Sequence, residues 1–299
     1  MDQLEAIRVF VSVATTGSFA EAARRRVMSP SAVTRGVAAL EEKLGLQLFN
    51  RTTRSVRLTE RGELYLESCR RILEDIDDAE RQVRGENAEP RGMLTITAPI
   101  VFGRLHVLPI VGRLLAAHAG LSIRLMLSDR NVHLVEEGVD AAIRIGELAD
   151  SRLVAARLGE VSRVLVASPA YLEARGAPST PGDLANHDLI AFEGIDLTRE
   201  WRFAEDEVFR VEPRLAVNNS DAAIAAAESG LGIARPLSYQ VRSAIEAGRL
   251  KLVLSSWTPA PVPVSVVYPA RRMASASLST FVGAVREHFR RHPLEAVAA

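Results

Sequence analysis

The sequence predicts a multidomain α/β protein: a small helical head closed by a β-hairpin, a long linker helix, and a two-lobed α/β domain. Three observations predict it. Two short capped helices between Ser18 and Gly45 are followed by an arginine-rich hairpin candidate, an apolar stripe at helical spacing runs from Tyr65 to Val83, and from Leu94 onward strand-like and helix-like runs alternate. At 299 residues, two or three domains are expected.

In the head, Ser18 and Glu21 have capping-box spacing, with a hydroxyl and a carboxylate able to satisfy the free amides of a first turn. A short helix through Ala22, Ala23 and Arg24 follows. Ser29 caps the next helix with Pro30 at its first position, and Gly45 stands where a left-handed residue would end it. Val33, Val37, Leu40 and Leu44 give this second helix one apolar face, leaving Ser31, Thr34, Arg35 and Ala38 on the other. A helix that enters the major groove by its N-terminal turns needs short hydroxyls for close approach and a long cation that can fork onto guanine. Ser29, Pro30, Ser31, Thr34 and Arg35 supply that combination, although the same residues also suit an ordinary solvated helix face. The hairpin from Asn50 to Leu58 favours DNA, because Arg51, Thr52, Thr53, Arg54 and Arg57 suit a ribbon laid along phosphates. Residues 1–62 thus read as a winged helix-turn-helix.

Charge points the same way. The formal net charge is +0, yet residues 1–62 hold ten Lys and Arg against six Asp and Glu, and residues 63–92 hold five against nine. Only the head has the basic footprint that phosphate binding requires.

Residues 63–92 read as a linker helix and hinge. Tyr65, Cys69, Ile72, Ile76, Ala79 and Val83 are spaced 4, 3, 4, 3 and 4, the seam of a coiled coil, and a lone helix with such a stripe needs a partner. Either it packs on its own chain or it pairs with a second copy; crossing antiparallel about Glu74 makes the seam self-complementary. Cys69 then does not face its symmetry mate, and a packed thiol is expected rather than a disulfide. The glycines and proline of "GENAEPRG" end the helix near Gly85.

The stretch from Leu4 to Gly62, notably "FVSVATTGSFAEAA" and "SPSAVTRGVAALEEKLGLQLFNRTTRSVRLTERG", resembles the LysR-type transcriptional regulators. "LVEEGVDAAIRIGEL" and "VLVASPAYLEARGAP" are similar to that family's effector-binding domain, so the resemblance covers nearly the whole length. It implies a homodimer, with pairing of dimers into tetramers left open, and a periplasmic-binding-protein-like effector domain. One departure stands at the helix-turn-helix corner, where Arg26 and Val27 replace the usual Leu followed by Gly, Asn or Asp. A β-branched residue resists positive φ, so a left-handed Val27 would be strained, and a rearranged turn is the alternative.

Residues 93–299 are expected to form the effector domain, with lobe I at about 93–163 plus 268–299 and lobe II at about 164–267. Strand candidates are Leu94–Ala98, Leu121–Leu127, Ala141–Ile145, Val164–Ala167, Leu189–Phe192, Glu200–Phe203, Leu215–Val217 and Val262–Tyr268, with helices at Val101–His118, near Leu134 and at Ser277–Arg291. The alternation implies mostly parallel sheets, whose ligands bind beyond the carboxyl ends of strands. That rule points to residues 98–101, to Ser128 and Asp129, to 146–147 and to 218–221; within these, and with Arg144 near the end of its strand, the candidate site is Pro99, Ile100, Val101, Ser128, Arg144, Gly146, Asn218, Asn219 and Ser220, with helix N-termini ready to receive a carboxylate. Each also has a plain structural role open to it, such as capping. Trp201 and Phe203 alternate as core contacts of a short strand.

Catalytic and metal chemistry finds no support. No G-x-S-x-G, P-loop or H-E-x-x-H occurs, and His288 with His292 lacks a third ligand. No cofactor, metal or enzymatic activity is expected. With one cysteine, no export-like start and no uninterrupted apolar stretch near the roughly 20 residues of a membrane span, a cytoplasmic protein without a membrane partner is expected. The expected function is sequence-specific binding of double-stranded DNA, modulated by a small-molecule effector such as an organic or aromatic carboxylate. The alternative is a small-molecule binding protein or enzyme that uses the N-terminal helices only to dimerise.

Overall fold

Each helix of the head begins where a short polar side chain closes its first turn. Asp2 Oδ1 accepts from the Glu5 amide at 2.7 Å and opens α1 (Gln3–Thr16). Ser18 Oγ accepts from the Glu21 amide at 3.3 Å and opens α2 (Phe19–Arg26). Ser29 Oγ accepts from the Ala32 amide at 3.2 Å and opens α3 (Pro30–Leu44), which Gly45 ends at φ 65°. The expected capping box is half made: the Glu21 carboxylate turns to Arg24 and Arg25 on its own helix, while the Ser18 amide donates to Thr16 Oγ1 at 3.4 Å. Strands β1 (Phe49–Arg51) and β2 (Val56–Leu58) pair antiparallel, with Asn50 opposite Arg57, and lead into α4 (Glu60–Val83).

The structure is a computed structural model that describes residues 1–51, 56–83, 89–130, 132–148, 153–193, 200–272 and 275–294. They belong to two units, Met1–Ala88 and Glu89–Ala299. In the first, Val9, Phe10, Val13, Val33, Val37, Leu48 and Phe49 form a sealed core, with the Phe10 ring 5.4 Å from Phe49 and 5.3 Å from Tyr65. Leu44, expected on the buried face of α3, is 39% exposed, so the apolar stripe ends a turn before the helix does. Gly62 seats α4 on this core, because a Cβ there would lie 2.1 Å from the Leu48 carbonyl oxygen.

That seating corrects the seam on α4. Leu66 and Cys69 are buried in the head core, and Tyr65 packs against it, so the first turns of the stripe face their own domain. Apolar spacing identifies a face but not what covers it, and the nearest apolar surface is Phe10 and its neighbours. Leu64 and Ile72 are the outward apolar positions, 65% and 46% exposed. Ile76 is half-buried, and the side chains of Ala79 and Val83 lie outside the described residues.

The corner keeps its left-handed geometry. Val27 sits at φ 53°, ψ 45°, with its side chain 93% exposed, while the Met28 amide donates to the Ala23 carbonyl at 2.9 Å. A left-handed L-residue costs about 1–2 kcal/mol, and an exposed valine regains nothing by packing. Arg26 donates to Glu5 Oε1 at 2.8 Å, tying α2 back to α1.

In the second unit, β3 (Gly92–Ala98), β4 (Leu121–Leu127), β5 (Ala141–Ile145), β6 (Leu153–Val161) and a late strand form the lobe I sheet. A helical stretch runs from β3 to β4: α5 (Ile100–Phe102), a π-turn (Gly103–Val107) and α6 (Leu108–Ala117). The stretch is apolar enough by composition to cross a membrane, but Phe102, Val107, Ile110 and Leu114 form part of the lobe I core. Residues 134–138, expected to be helical, form turns instead, broken by Gly138 at φ 65°. Asp140 is buried behind them; its carboxylate accepts from the Thr95 amide at 2.8 Å and from Arg272 Nε at 3.0 Å.

Lobe II contains β7 (Leu165–Ala167), α7 (Pro169–Arg175), β8 (Leu189–Phe192), a hairpin of β9 (Glu200–Arg202) and β10 (Val208–Arg210), β11 (Leu215–Val217), α8 (Ser220–Glu228), β12 (Ile233–Ala234), α9 (Ser238–Glu246) and β13 (Lys251–Val253). Its sheet runs in the order β11-β8-β12-β7-β13. Val166, Ile190 and Ala234 pack on one face against α8 and α9. Leu165, Leu189 and Ile233 pack on the other against Trp201 and Phe203, which makes both aromatics core residues as expected. Strands covered on both faces read as unbroken apolar runs.

β14 (Val262–Pro269) and α10 (Ala276–Arg291) return to lobe I. All of β14 lies in the lobe I sheet, in the order β4-β3-β5-β14-β6, so the expected lobe boundary at 267 moves back to before Val262. Both sheets are mixed rather than mostly parallel, because β14 runs antiparallel to β5 and β6, and β7 runs antiparallel to β12 and β13. Where the chain leaves lobe I, 162–164 and 236–238 lie side by side, joined by Ser238 N to Ser162 O at 2.8 Å and Val164 N to Pro236 O at 3.0 Å.

Candidate functional site

In the head, α3 divides cleanly. Val33, Gly36, Val37 and Leu40 are buried, and Ser29, Pro30, Ser31, Thr34 and Arg35 are all exposed. Ser29 Oγ lies 3.1 Å from Ser31 Oγ, and Thr34 Oγ1 donates to the Pro30 carbonyl at 2.9 Å. These bonds fix the hydroxyl oxygens at the start of the helix with acceptor capacity to spare, while Arg35 extends one helical step beyond them. On the hairpin, Arg57 is exposed. Thr52, Thr53 and Arg54 lie outside the described residues, as does the side chain of Arg51. Arg24 and Arg25 add two exposed cations on α2, and their carboxylate partner Glu21 is held below its ordinary range by the Arg24 hydrogen bond and charge. Cys69 is a poor nucleophile: burial raises its thiol pKa and pushes the neighbouring Tyr65 phenol up to about 12.

In the second unit a cavity of about 190 Å³ opens at the carboxyl ends of β3, β4 and β5 and reaches the first residues of α9. Of the expected residues it collects Pro99, Ser128 and Arg144. It leaves out six. Val101 is in the core, Gly146 at φ 111° donates its amide to Pro263 O, and Asn219 Oδ1 caps α8 by accepting from the Ala222 amide at 3.2 Å. Asn218 is exposed elsewhere, and Ser220 is buried. Ile100 is excluded for an instructive reason: its amide, expected to receive a ligand carboxylate, already donates to Asp129 Oδ1 at 3.1 Å.

The cavity includes Asp129, to which the strand-end rule points beside Ser128, and gains residues that the rule does not reach, among them Thr97, Arg130, Arg163, Phe192, Tyr239 and Gln240. Arg163 and Tyr239 arrive with the crossing segments, whose pairing no local pattern announces. Arg144 spends one guanidinium nitrogen on the Val132 carbonyl at 2.7 Å, leaving the rest of its fork. Burial raises the Asp129 pKa, opposed by the Ile100 amide and reinforced by Asp221. Burial likewise raises the Tyr239 phenol well above its ordinary range, with Asp129 adding to it, so the phenol stays neutral. The Tyr239 ring stands edge-on to Phe102 at 5.3 Å, and Gln240 Nε2 donates to its hydroxyl at 3.5 Å. Three guanidinium groups, of Arg130, Arg144 and Arg163, and one carboxylate, of Asp129, stand in the cavity wall. The His288 and His292 rings lie 5.0 Å apart and tilted at 45° on the terminal helix, and neither lines the cavity.

A capped reading helix with a wing, joined in one chain to a two-lobed domain with a polar interlobe cavity, defines a ligand-responsive DNA-binding regulator. Residues 4–63 match the family described as bacterial regulatory helix-turn-helix protein, lysR family, and residues 87–290 match the LysR substrate binding domain. An HTH-type transcriptional repressor from Pseudomonas aeruginosa is 34% identical over 98% of this chain and 94% of its own. The HTH-type transcriptional activator AaeR of Escherichia coli is 30% identical over 97% and 94%. The structure of CrgA, a LysR-type transcriptional regulator from Neisseria meningitidis, superposes with a TM-score of 0.62 at 31% identity, over 95% of this chain and 98% of that one. This chain belongs to the LysR-type transcriptional regulators: it is a DNA-binding transcriptional regulator with an effector-binding domain.

Proposed function

We propose that the chain reads its operator with Ser29, Pro30, Ser31, Thr34 and Arg35 in the major groove, with Arg51, Thr52, Thr53, Arg54 and Arg57 holding the flanking backbone. The single observation that supports this most is the split of α3 into a sealed apolar face and a short-hydroxyl face that ends in one long cation. A small organic anion in the cleft, met by Arg144, Arg163 and Arg130, tunes that binding by preferring one arrangement of the lobes. The protein acts in the cytoplasm as a homodimer and carries no catalytic activity. Ile72 and Ile76 supply the dimer contacts of α4, with Leu64 extending the stripe. Ala79 and Val83 continue the seam toward its end.

The test is a titration of the full chain against duplexes from its own upstream intergenic region and against scrambled duplexes, across a salt series. Sequence-selective binding that weakens steeply with salt is the expected result. Equal, salt-indifferent behaviour toward every duplex would reduce the head to a dimerisation element.

A further inference from the structure

Asp129 changes what the cleft can accept. Its Oδ1 occupies the Ile100 amide, so the N-terminus of the following helix is closed to a ligand carboxylate. Its Oδ2 is shut off from water and has no hydrogen-bond partner among the described residues, yet Asp129 is part of the cavity wall. A buried acceptor in that state is satisfied only when a donor arrives. Asp221, at the start of α8 and paired with Arg104 at 3.6 Å, is near enough to raise the Asp129 pKa further, and the neutral Tyr239 phenol shares the cavity wall. At the Asp129 carboxylate itself a hydrogen-bond donor is therefore favoured over an anion, although Arg130 beside it also stands in the cavity wall.

The opposite end is cationic. β4 and β5 flank β3, with Leu127 opposite Ala98 and Ala142 opposite Thr97. Asp129, just past β4, and Arg144, on β5, are thus two strand spacings apart, about 10 Å. Arg163 joins Arg144 in the cavity wall, with Phe192 as an apolar neighbour. A cavity of about 150 Å³ takes up benzene. The space here, about 190 Å³, holds one ring or a short chain with a small group at each end.

We propose that the ligand of this cleft is polar at both ends, a carboxylate toward Arg144 and Arg163 and a hydroxyl or amine toward Asp129, with Asp129 the residue that selects for the donor. The inference rests on the cleft being the effector site. Its test is isothermal calorimetry on the full chain with probes that share a scaffold, smaller and larger analogues bracketing the donor-bearing ones: 4-hydroxybenzoate and 4-aminobenzoate against benzoate and 4-methoxybenzoate, and 4-hydroxybutyrate against butyrate.

The donor-bearing member of at least one set should bind at least roughly tenfold more tightly, since a site built to hydrogen-bond a substrate group rejects analogues that lack it. Asp129→Ala should shrink that preference to under about threefold. Asp129→Asn, which keeps an acceptor for the Ile100 amide and replaces Oδ2 by a donor, should shift preference toward 4-methoxybenzoate. It also guards against a variant that merely fails to fold. Equal affinities within each set, or a donor preference that survives both substitutions, would overturn the role of Asp129 while leaving the cleft as the effector site. No binding of any probe to the folded wild-type chain would overturn both.

Discussion

Ser29, Pro30, Ser31, Thr34 and Arg35 are neighbours in space because one helix carries them, whereas Ser128, Arg144, Arg163 and Tyr239 meet only because five strands and two crossing segments hold their register. The first kind of surface depends on caps and a buried stripe within fifteen residues of α3. The second depends on contacts that span the fold, such as the Asp140 carboxylate, which ties β3 to the start of β5 and pairs with Arg272 more than a hundred positions away. A local site tolerates damage elsewhere in the chain. A non-local site shares the stability of the whole domain that builds it.

The sharpest way to break this contrast is Asp140→Ala. The substitution removes the carboxylate that pairs with Arg272 and accepts from the Thr95 amide, which is expected to cost about 3–5 kcal/mol. Trp201 and Trp257 are the chain's 2 tryptophans and both belong to the second unit, so their fluorescence in urea follows that unit. A large fall in its midpoint, with head stability and selective DNA binding retained, is the expected outcome. A loss of DNA binding in step with the fluorescence change would mean that the two units are not independent in this sense.

A smaller effect comes from His106, whose ring packs against Phe102 at 4.7 Å, Tyr239 at 5.7 Å and Phe289 at 5.8 Å. Burial pushes its pKa down to about 4, helped by the charges of His288 and Arg242. Because the folded value lies below the ordinary 6.5, the unfolded chain binds the proton first as pH falls. The stabilisation is full above pH 6.5 and is lost as pH drops toward about 4, on the order of 3 kcal/mol in all. Urea midpoints read by tryptophan fluorescence should follow that slope, and His106→Leu should flatten it. An unchanged slope in the variant would assign the acid sensitivity to other groups.

How much of each surface can be read from sequence follows the same division. Ser18, Ser29, Pro30 and Gly45 mark helix ends by interactions within a few residues, so α2 and α3 begin and end where their caps predict. Strand ends point to Pro99, Ser128 and Arg144, and all three line the cavity, because the topology of a parallel β3–β4–β5 layer is itself local in character. Asp129 is legible beside Ser128 at the same strand end but its bond to the Ile100 amide is not, and Tyr239 reads as part of an ordinary helix start. Their roles depend on the fold of lobe I against α9. Likewise the 4-3 spacing of α4 correctly marks an apolar stripe but cannot tell that Tyr65 and Cys69 turn toward Phe10. β6 was missed because it is an edge strand whose polar and apolar residues alternate poorly.

The corner offers the smallest effect and the most local one. Arg26→Leu with Val27→Gly relieves the left-handed valine and is expected to add about 1–2 kcal/mol to the head. In a domain of this size that is a rise of several degrees, about 4–8 °C per kcal/mol. Calorimetry should show the head transition moving up while the tryptophan transition stays in place. A lower head transition would show that the Arg26–Glu5 bond is worth more than the relieved strain.

The most direct test of the account is a comparison of Arg35→Ala and Arg57→Ala, each titrated by fluorescence anisotropy against operator and scrambled duplex across a salt series. If α3 reads bases and the wing holds phosphates, Arg35→Ala should lose about 1–3 kcal/mol on operator alone and approach the affinity for scrambled DNA. Arg57→Ala should weaken both duplexes alike and reduce the salt slope by about 1. Equal losses on both duplexes for Arg35→Ala, with the salt slope flattened instead, would contradict the assignment of α3 as the reading helix.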